Sequence, residues 1–350
     1  MRVCAADCAT GDLPEVWTDK MPEAWKKIDI SVKSTLDGSM QPASFLFPAK
    51  ARACGSKVPM LVTLHSWSYG YEFKNPATWA ANECTRRGWA MLYPHFRGPN
   101  KTPQACGSDL AVQDIADQIK WAIANYPVDA ERVYILGGSG GGHMALLMAG
   151  RHPGLFAGVY AACPISDIAR WYCESMDPVK KLYPSYGKMI LAACGGKPDE
   201  KAEEYRRRSP LTWLPFARKA NVPVSITTGI HDGHARKGGG SVPVGHSIRA
   251  YNELVPQAER ISEETIAEIE RTEKIPPALT FGGNAPYFKE GKVFLRLTSG
   301  NARLTIFDAG HAGNYTEGIE WLSLQRRGRP ADWNVRLQGG AKTASDTVTK

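Results

Sequence analysis

One serine stands among five glycines in the run Gly137-Gly138-Ser139-Gly140-Gly141-Gly142. A hydroxyl set apart in this way suits a flexible turn, a phosphate cradle or the seat of a nucleophile. A phosphate loop needs Lys followed by Ser or Thr after the glycines, and His143 and Met144 stand there instead, which excludes it. A dinucleotide fingerprint fits only as Gly140-x-Gly142-x-x-Ala145, in mid-sheet and without the acidic strand end it requires. The remaining pattern is G-x-S-x-G between an apolar β-run, "RVYILGG", and a helical run, "HMALLMAGR". In that setting the serine occupies a sharp strand-to-helix turn and presents its Oγ above the sheet. Gly137 and Gly141 then make room for the turn, and Gly140 offers its N–H to a developing oxyanion. Gly142 fits close helix–sheet packing, and Gly138 has no clear task at this level.

A serine nucleophile needs a base, and the base needs a carboxylate to fix its tautomer. The acid and base are expected after Ser139, in that order, at the ends of later strands. Asp232 follows "VPVSITTGIH" and His311 follows "LTIFDAG". His143 lies on the helix of the nucleophile and reads as structural. His231 and His234 flank the acid, His246 opens a helix, and Asp308 supports the turn before His311. Asp167 is an alternative acid, ranked below Asp232. The second oxyanion donor is expected from the loop after "MLVTLH", as the N–H of Ser66 or Trp67. The side chains of Trp67, Tyr69, Tyr71 and Arg97 are candidates for a substrate wall. Acyl transfer of this kind needs no metal and no organic cofactor.

The elements that position these groups alternate. Apolar β-runs at 58–66, 89–96, 132–138, 155–164, 222–232 and 302–313 are separated by segments with helical spacing, and Ser108 is placed to cap one of them. Apolar strands alternating with helices predict a mostly parallel sheet with helices on both faces. "KIDISVKS" and "PASFLFPA" read as an antiparallel pair leading into it. Residues 166–215 read as cap-like helices. Residues 257–300 read as an insertion with a charged helix, "SEETIAEIERTEK", and a hairpin through "KVFLRLTSGN". The division expected is 1–54 as an N-terminal extension with antiparallel strands, 55–325 as the catalytic domain, and 326–350 as a loosely attached tail.

Several stretches resemble one family. "AERVYILGGSGGGHMALLMAGRHPGLFAGVYAACPISD", "PHFRGPN" with the helix after it, "GIHDG…SVPVGHSIRAYNEL" and "DAGHAG" are similar to the catalytic domain of the prolyl oligopeptidase family. The resemblance implies the α/β-hydrolase fold and covers roughly residues 55–325, less the insertion after Pro256. Only about 55 residues precede the first parallel strand, so no β-propeller is expected before it. The family's acid-bearing segment is altered here. Counting back from Val242 places Gly239 where the pattern has its acid, while Asp232 is the only carboxylate between Asn221 and Asn252. The resemblance further implies a carboxylesterase acting on acylated saccharides or small esters, with a peptidase acting on short peptides as the alternative.

Net charge is +8 with a pI near 9.0, yet the basic residues are scattered and no basic–aromatic motif accompanies them, so nucleic acid is not the expected partner. No apolar run is long enough to cross a bilayer. "MRVCAADCATG" lacks the apolar core of a secretory signal, so an exported protein would have lost its signal ahead of this sequence. Eight cysteines form no CxxC pair, and Cys163 and Cys194 read as buried packing residues. The expected partner is an ester substrate; compartment and oligomeric state stay open.

Overall fold

Side chains of a strand point alternately to its two faces, and the strand Val58–Thr63 (β3) sorts accordingly. Met60 and Val62 enter one apolar cluster and Leu61 another. Val133 and Ile135 of Val128–Gly138 (β5) join the first cluster, Tyr134 and Leu136 the second. Both faces must therefore be covered. Helices Asp109–Asn125 (α3), Gly140–Arg151 (α4), Pro210–Lys219 (α8) and Gly245–Leu254 (α9) cover one face. Helices Asn75–Arg87 (α2) and Tyr315–Leu324 (α11) cover the other. In α3 the buried Ala111, Val112, Ile115, Ala116, Ile119 and Ala122 recur at helical spacing. Its Ser108 cap accepts the Ala111 N–H, as expected.

These statements rest on a computed structural model that describes residues 25–72, 75–179, 182–234, 241–289 and 292–336. The remaining strands are Trp25–Lys33 (β1), Met40–Pro48 (β2), Ala90–Pro94 (β4), Gly158–Ala162 (β6), Val224–Gly229 (β7), Val293–Ser299 (β8) and Ala302–Phe307 (β9). The nine-stranded sheet runs β1-β2-β4-β3-β5-β6-β7-β9-β8. Strands β4 through β9 in that order are parallel, and β1, β2 and β8 are antiparallel to their neighbours. From β3 the chain moves to one side to form β4 and then returns to the other side to form β5. Loops leaving the C-terminal ends of β3 and β5 therefore part there and leave a crevice, the place where open α/β sheets bind ligands. The strand ends at this point lead into Ser139 and the Leu64–Tyr71 loop.

Three sequence expectations are modified. The helices of the 166–215 region are Ile168–Met176 (α5), Pro184–Cys194 (α6), Ala202–Arg208 (α7) and the start of α8. Helices α5 to α7 pack in a cluster of their own that includes Trp67, whereas α8 belongs to the main core. Leu214 and Ala217 of α8 lie in the same core as α4 and α9, and a methyl group at Gly150 of α4 would collide with the backbone of Trp213. The 257–300 region is likewise more than an insertion. Helix Glu263–Thr272 (α10) buries Ile266 and Ile269 and is tied to α9 by Arg249, which bonds Glu263 and Glu270. Strand β8 then extends the sheet beside β9. The tail is docked through its described part: Trp333 stacks on Trp321 with centroids 4.9 Å apart, and the Ala331 N–H donates to Asn301. Residues 1–24 and 337–350 lie outside the described residues, as does Gly239.

Candidate active site

Ser139 sits between β5 and α4 at φ 56° and ψ −119°, a region that side-chain-bearing residues rarely occupy. The glycines explain how it is held there. A methyl group at Gly137 would strike the backbone of Gly141, and one at Gly141 would press on the Leu64 and His65 carbonyls. At Gly142 it would meet the Ala162 carbonyl and Pro164, so this position does permit close helix–sheet packing. Gly138, unexplained by sequence, faces the Tyr315 hydroxyl, which leaves no space for a side chain. The Ser139 N–H is fixed by the Ala162 carbonyl at 2.8 Å.

Gly140 opens α4, so its N–H has no carbonyl one turn back to bond. A Cβ on Gly140 would meet the backbone N of Trp67. The loop after β3 therefore packs directly on the elbow at Trp67. The Ser66 carbonyl accepts from Nδ1 of His65 at 3.0 Å. Asn100, which sequence reasoning missed, holds the Trp67 peptide. Its backbone N–H and its Nδ2 both donate to the Trp67 carbonyl, at 3.0 and 3.2 Å, and its Oδ1 accepts the Cys106 N–H at 2.8 Å. An asparagine at the end of "PHFRGPN" was the available signal.

The loop after β9 brings His311 toward the elbow by crossing the ends of the neighbouring strands. Gly229 of β7 packs on the Ala309 and Gly310 carbonyls, Cys163 Sγ donates to the Ala312 carbonyl at 2.9 Å, and Gly313 lies against Ala162 of β6. Tyr315 then reaches Gly138 of β5. In this loop Nδ1 of His311 lies 2.7 Å from Oδ2 of the fully buried Asp232. Oδ1 of Asp232 accepts the Val242 N–H at 3.1 Å. Burial works against the imidazolium, but the charge and hydrogen bond of Asp232 together outweigh it, so His311 titrates above the usual histidine range.

The competing residues have other tasks. Asp167 caps α5 by accepting the Arg170 N–H at 3.0 Å. Nε2 of His143 bonds the Arg208 carbonyl at 2.8 Å, and burial pushes this histidine down to about 4. Nε2 of His246 meets Glu174 at 3.0 Å while its Nδ1 accepts the Ser166 N–H at 3.2 Å, which ties α5 to α9. His231 lies between two carboxylates, Glu273 at 2.5 Å and Asp308 at 3.2 Å. Through Glu273, the residue after α10, the 257–300 region touches the acid loop.

Two members of the expected substrate wall are corrected. The Trp67 side chain is 1% exposed and packs edge-on against Trp171, with centroids 4.7 Å apart. Arg97 is a structural tie: Nε meets the buried Asp114 at 2.5 Å, Nη1 meets Asp37 in the β1–β2 turn at 2.9 Å, and Nη2 reaches Ser39. Tyr71 packs edge-on against His95 on the α2 side. Tyr69 is the exposed ring of the set at 44%. Sequence reasoning missed the aromatic run supplied by α5 and α6: Trp171 stacks on Tyr186 at 5.0 Å, and Tyr183, half exposed, meets Tyr186 edge-on.

Cys163 is buried as expected, but it is more than packing. Its Sγ, a carboxylate oxygen of Asp232 and a ring nitrogen of His311 lie within 4.8 Å of one another. Burial and the neighbouring Asp232 push the thiol well above its ordinary range. Asp232 and His311 already satisfy each other, so a protonated thiol beside them fits a packing and hydrogen-bonding role better than a metal ligand.

A strained serine between strand and helix, on a mostly parallel open sheet covered on both faces, defines the α/β-hydrolase class. A profile of the prolyl oligopeptidase family matches residues 75–265, more than half of the chain. The chain belongs to that family. Among solved structures it is similar to oligopeptidase B of Leishmania major, at 14% identity and a TM-score of 0.54 over 82% of this chain and 33% of that one. It is also similar to a putative dipeptidyl aminopeptidase IV of Bacteroides ovatus, at 18% identity and a TM-score of 0.50 over 68% of this chain and 31% of that one. One 59-residue stretch is 41% identical to acetylxylan esterase A of Aspergillus ficuum, covering 15% of this chain and 20% of the esterase. The chain thus spans a fifth of that esterase and about a third of each peptidase. Among the described residues no helix is long and apolar enough to cross a membrane.

Proposed function

We propose that this chain is a serine hydrolase that cleaves carboxylic esters through an acyl-enzyme on Ser139, with His311 as base and Asp232 as its carboxylate partner. The observation that carries the reading is the His311–Asp232 pair, held by a loop that crosses the strand ends as far as the elbow of Ser139. With Nδ1 directed at Asp232, Nε2 is the ring nitrogen left for proton transfer. Ser139 Oγ attacks the carbonyl carbon as its proton passes to Nε2, and the carbonyl electrons move onto oxygen. The N–H groups of Gly140 and Trp67 receive that oxyanion. Collapse breaks the C–O bond and the alcohol leaves with the proton from Nε2. Water then repeats the sequence on the acyl-enzyme and releases the acid.

Support for an ester substrate comes from the stretch shared with an acetylxylan esterase, and exposed rings at Tyr69 and Tyr183 suit the flat face of a sugar or an aromatic acyl group. The test is a panel of p-nitrophenyl esters, acetylated xylan fragments and peptidyl p-nitroanilides, with a fluorophosphonate probe to locate the nucleophile. Ester turnover with Ser139 labelled is expected. Fast anilide cleavage with poor ester turnover would establish the peptidase alternative, and absence of labelling would overturn the nucleophile.

A further inference from the structure

Away from the catalytic centre, a recess of about 300 Å³ opens between β8, β9, the first turn of α11 and the docked tail. Two arginines and one carboxylate line it. Arg296 spends Nη2 on both oxygens of the buried Glu317, at 2.8 and 3.0 Å. Its side chain is 9% exposed, and its Nε is buried with no hydrogen-bond partner. Arg303 lies over the Trp333 ring at 4.3 Å, and its Nε donates to Thr298 at 2.9 Å. Among the described residues no carboxylate pairs with Arg303. Burial, together with the neighbouring Arg296, brings its guanidinium down to about 10. A second cation is thus held in a partly desolvated place that offers one acid for two guanidinium groups. The remaining lining is apolar or flat, with Phe281, Pro286, Trp333 and Val335.

We propose that the Arg296–Arg303 recess is a binding site for an aryl carboxylate. A carboxylate would supply the missing negative charge and accept hydrogen bonds from the two terminal nitrogens of Arg303, with Arg296 beside it adding charge. The ring of Phe281 and the edge of Trp333, whose faces meet Trp321 and Arg303, would border an aromatic group attached to it, a contact that a bare inorganic anion could not use. The volume matches a ligand of one ring, at the lower end of small-molecule sites. None of Ser139, Asp232 and His311 lines the recess, so the site is separate from the proposed reaction.

The experiment is a calorimetric titration of the whole protein with benzoate, with benzamide as the neutral isostere and acetate as the ringless anion. Benzoate is expected to bind most tightly, and Arg303→Gln to weaken it about tenfold, the loss of one charge-assisted contact. Arg303→Lys keeps the charge but not the fork, and guards against a glutamine variant that fails to fold; the same direction of loss is expected. Equal binding of benzamide and benzoate overturns the proposal. So does benzoate binding unchanged by Arg303→Gln or Arg303→Lys, which would place the ligand elsewhere, at the catalytic centre for instance.

Discussion

His311 and Asp232 meet at 2.7 Å between Nδ1 and Oδ2, and the Val242 N–H takes the other carboxylate oxygen at 3.1 Å. Both oxygens of this buried acid are therefore engaged, and the histidine can turn only one nitrogen outward. The base must be neutral to accept the serine proton. Because His311 titrates above the ordinary range, activity should fall with decreasing pH through a limb lying above that of an unperturbed histidine. Asp232→Asn removes the charge that raises it, so the limb should move to lower pH while kcat drops by about ten-thousandfold, as in other triads that lose their acid. A pH–rate profile of both proteins checks the direction.

Ser139→Ala should reduce ester turnover by about a millionfold, the scale of losing a triad nucleophile. Alanine keeps the backbone and removes one oxygen, so thermal unfolding should stay within a few degrees of the parent. Residual turnover well above that level would show that another group acts as nucleophile.

Gly140→Ala tests the proposed oxyanion site. The new methyl group has to displace the Trp67 backbone, and losing one donor typically costs about a hundredfold to a thousandfold in kcat. KM should change little, because the ground-state carbonyl needs the site less than the tetrahedral intermediate does. Asn100→Ala should act in the same direction more weakly, up to about a hundredfold, by releasing the Trp67 carbonyl. A rise in KM at constant kcat would assign these residues to substrate binding instead.

Arg97→Gln should behave as a stability variant. It leaves the buried Asp114 without its cation and unhooks the β1–β2 turn at Asp37. Breaking such a pair from one side costs about 3–5 kcal/mol. The midpoint of urea unfolding should fall while KM holds, and an unchanged midpoint with a raised KM would return Arg97 to the substrate wall.

Much of this molecule was legible in one dimension because its signals are local. Apolar runs alternating with helical spacing determine a covered parallel sheet, and the glycines around Ser139 determine an elbow, since only a residue without a side chain tolerates those contacts. Local pattern also placed the Ser108 cap and pointed to Asp232 and His311 at strand ends. Tertiary structure decided what depends on which strand lies beside which. The sheet order set β3 next to β5 and so packed Trp67 against Gly140, and the crossing of the β9 loop put Tyr315 against Gly138 and Cys163 beside Asp232. Arg97 and the Trp67 side chain were misread for the same reason. An arginine and a tryptophan suit a binding wall and a buried tie equally well by type, and only partners distant in sequence, Asp37, Asp114 and Trp171, determine which one they become.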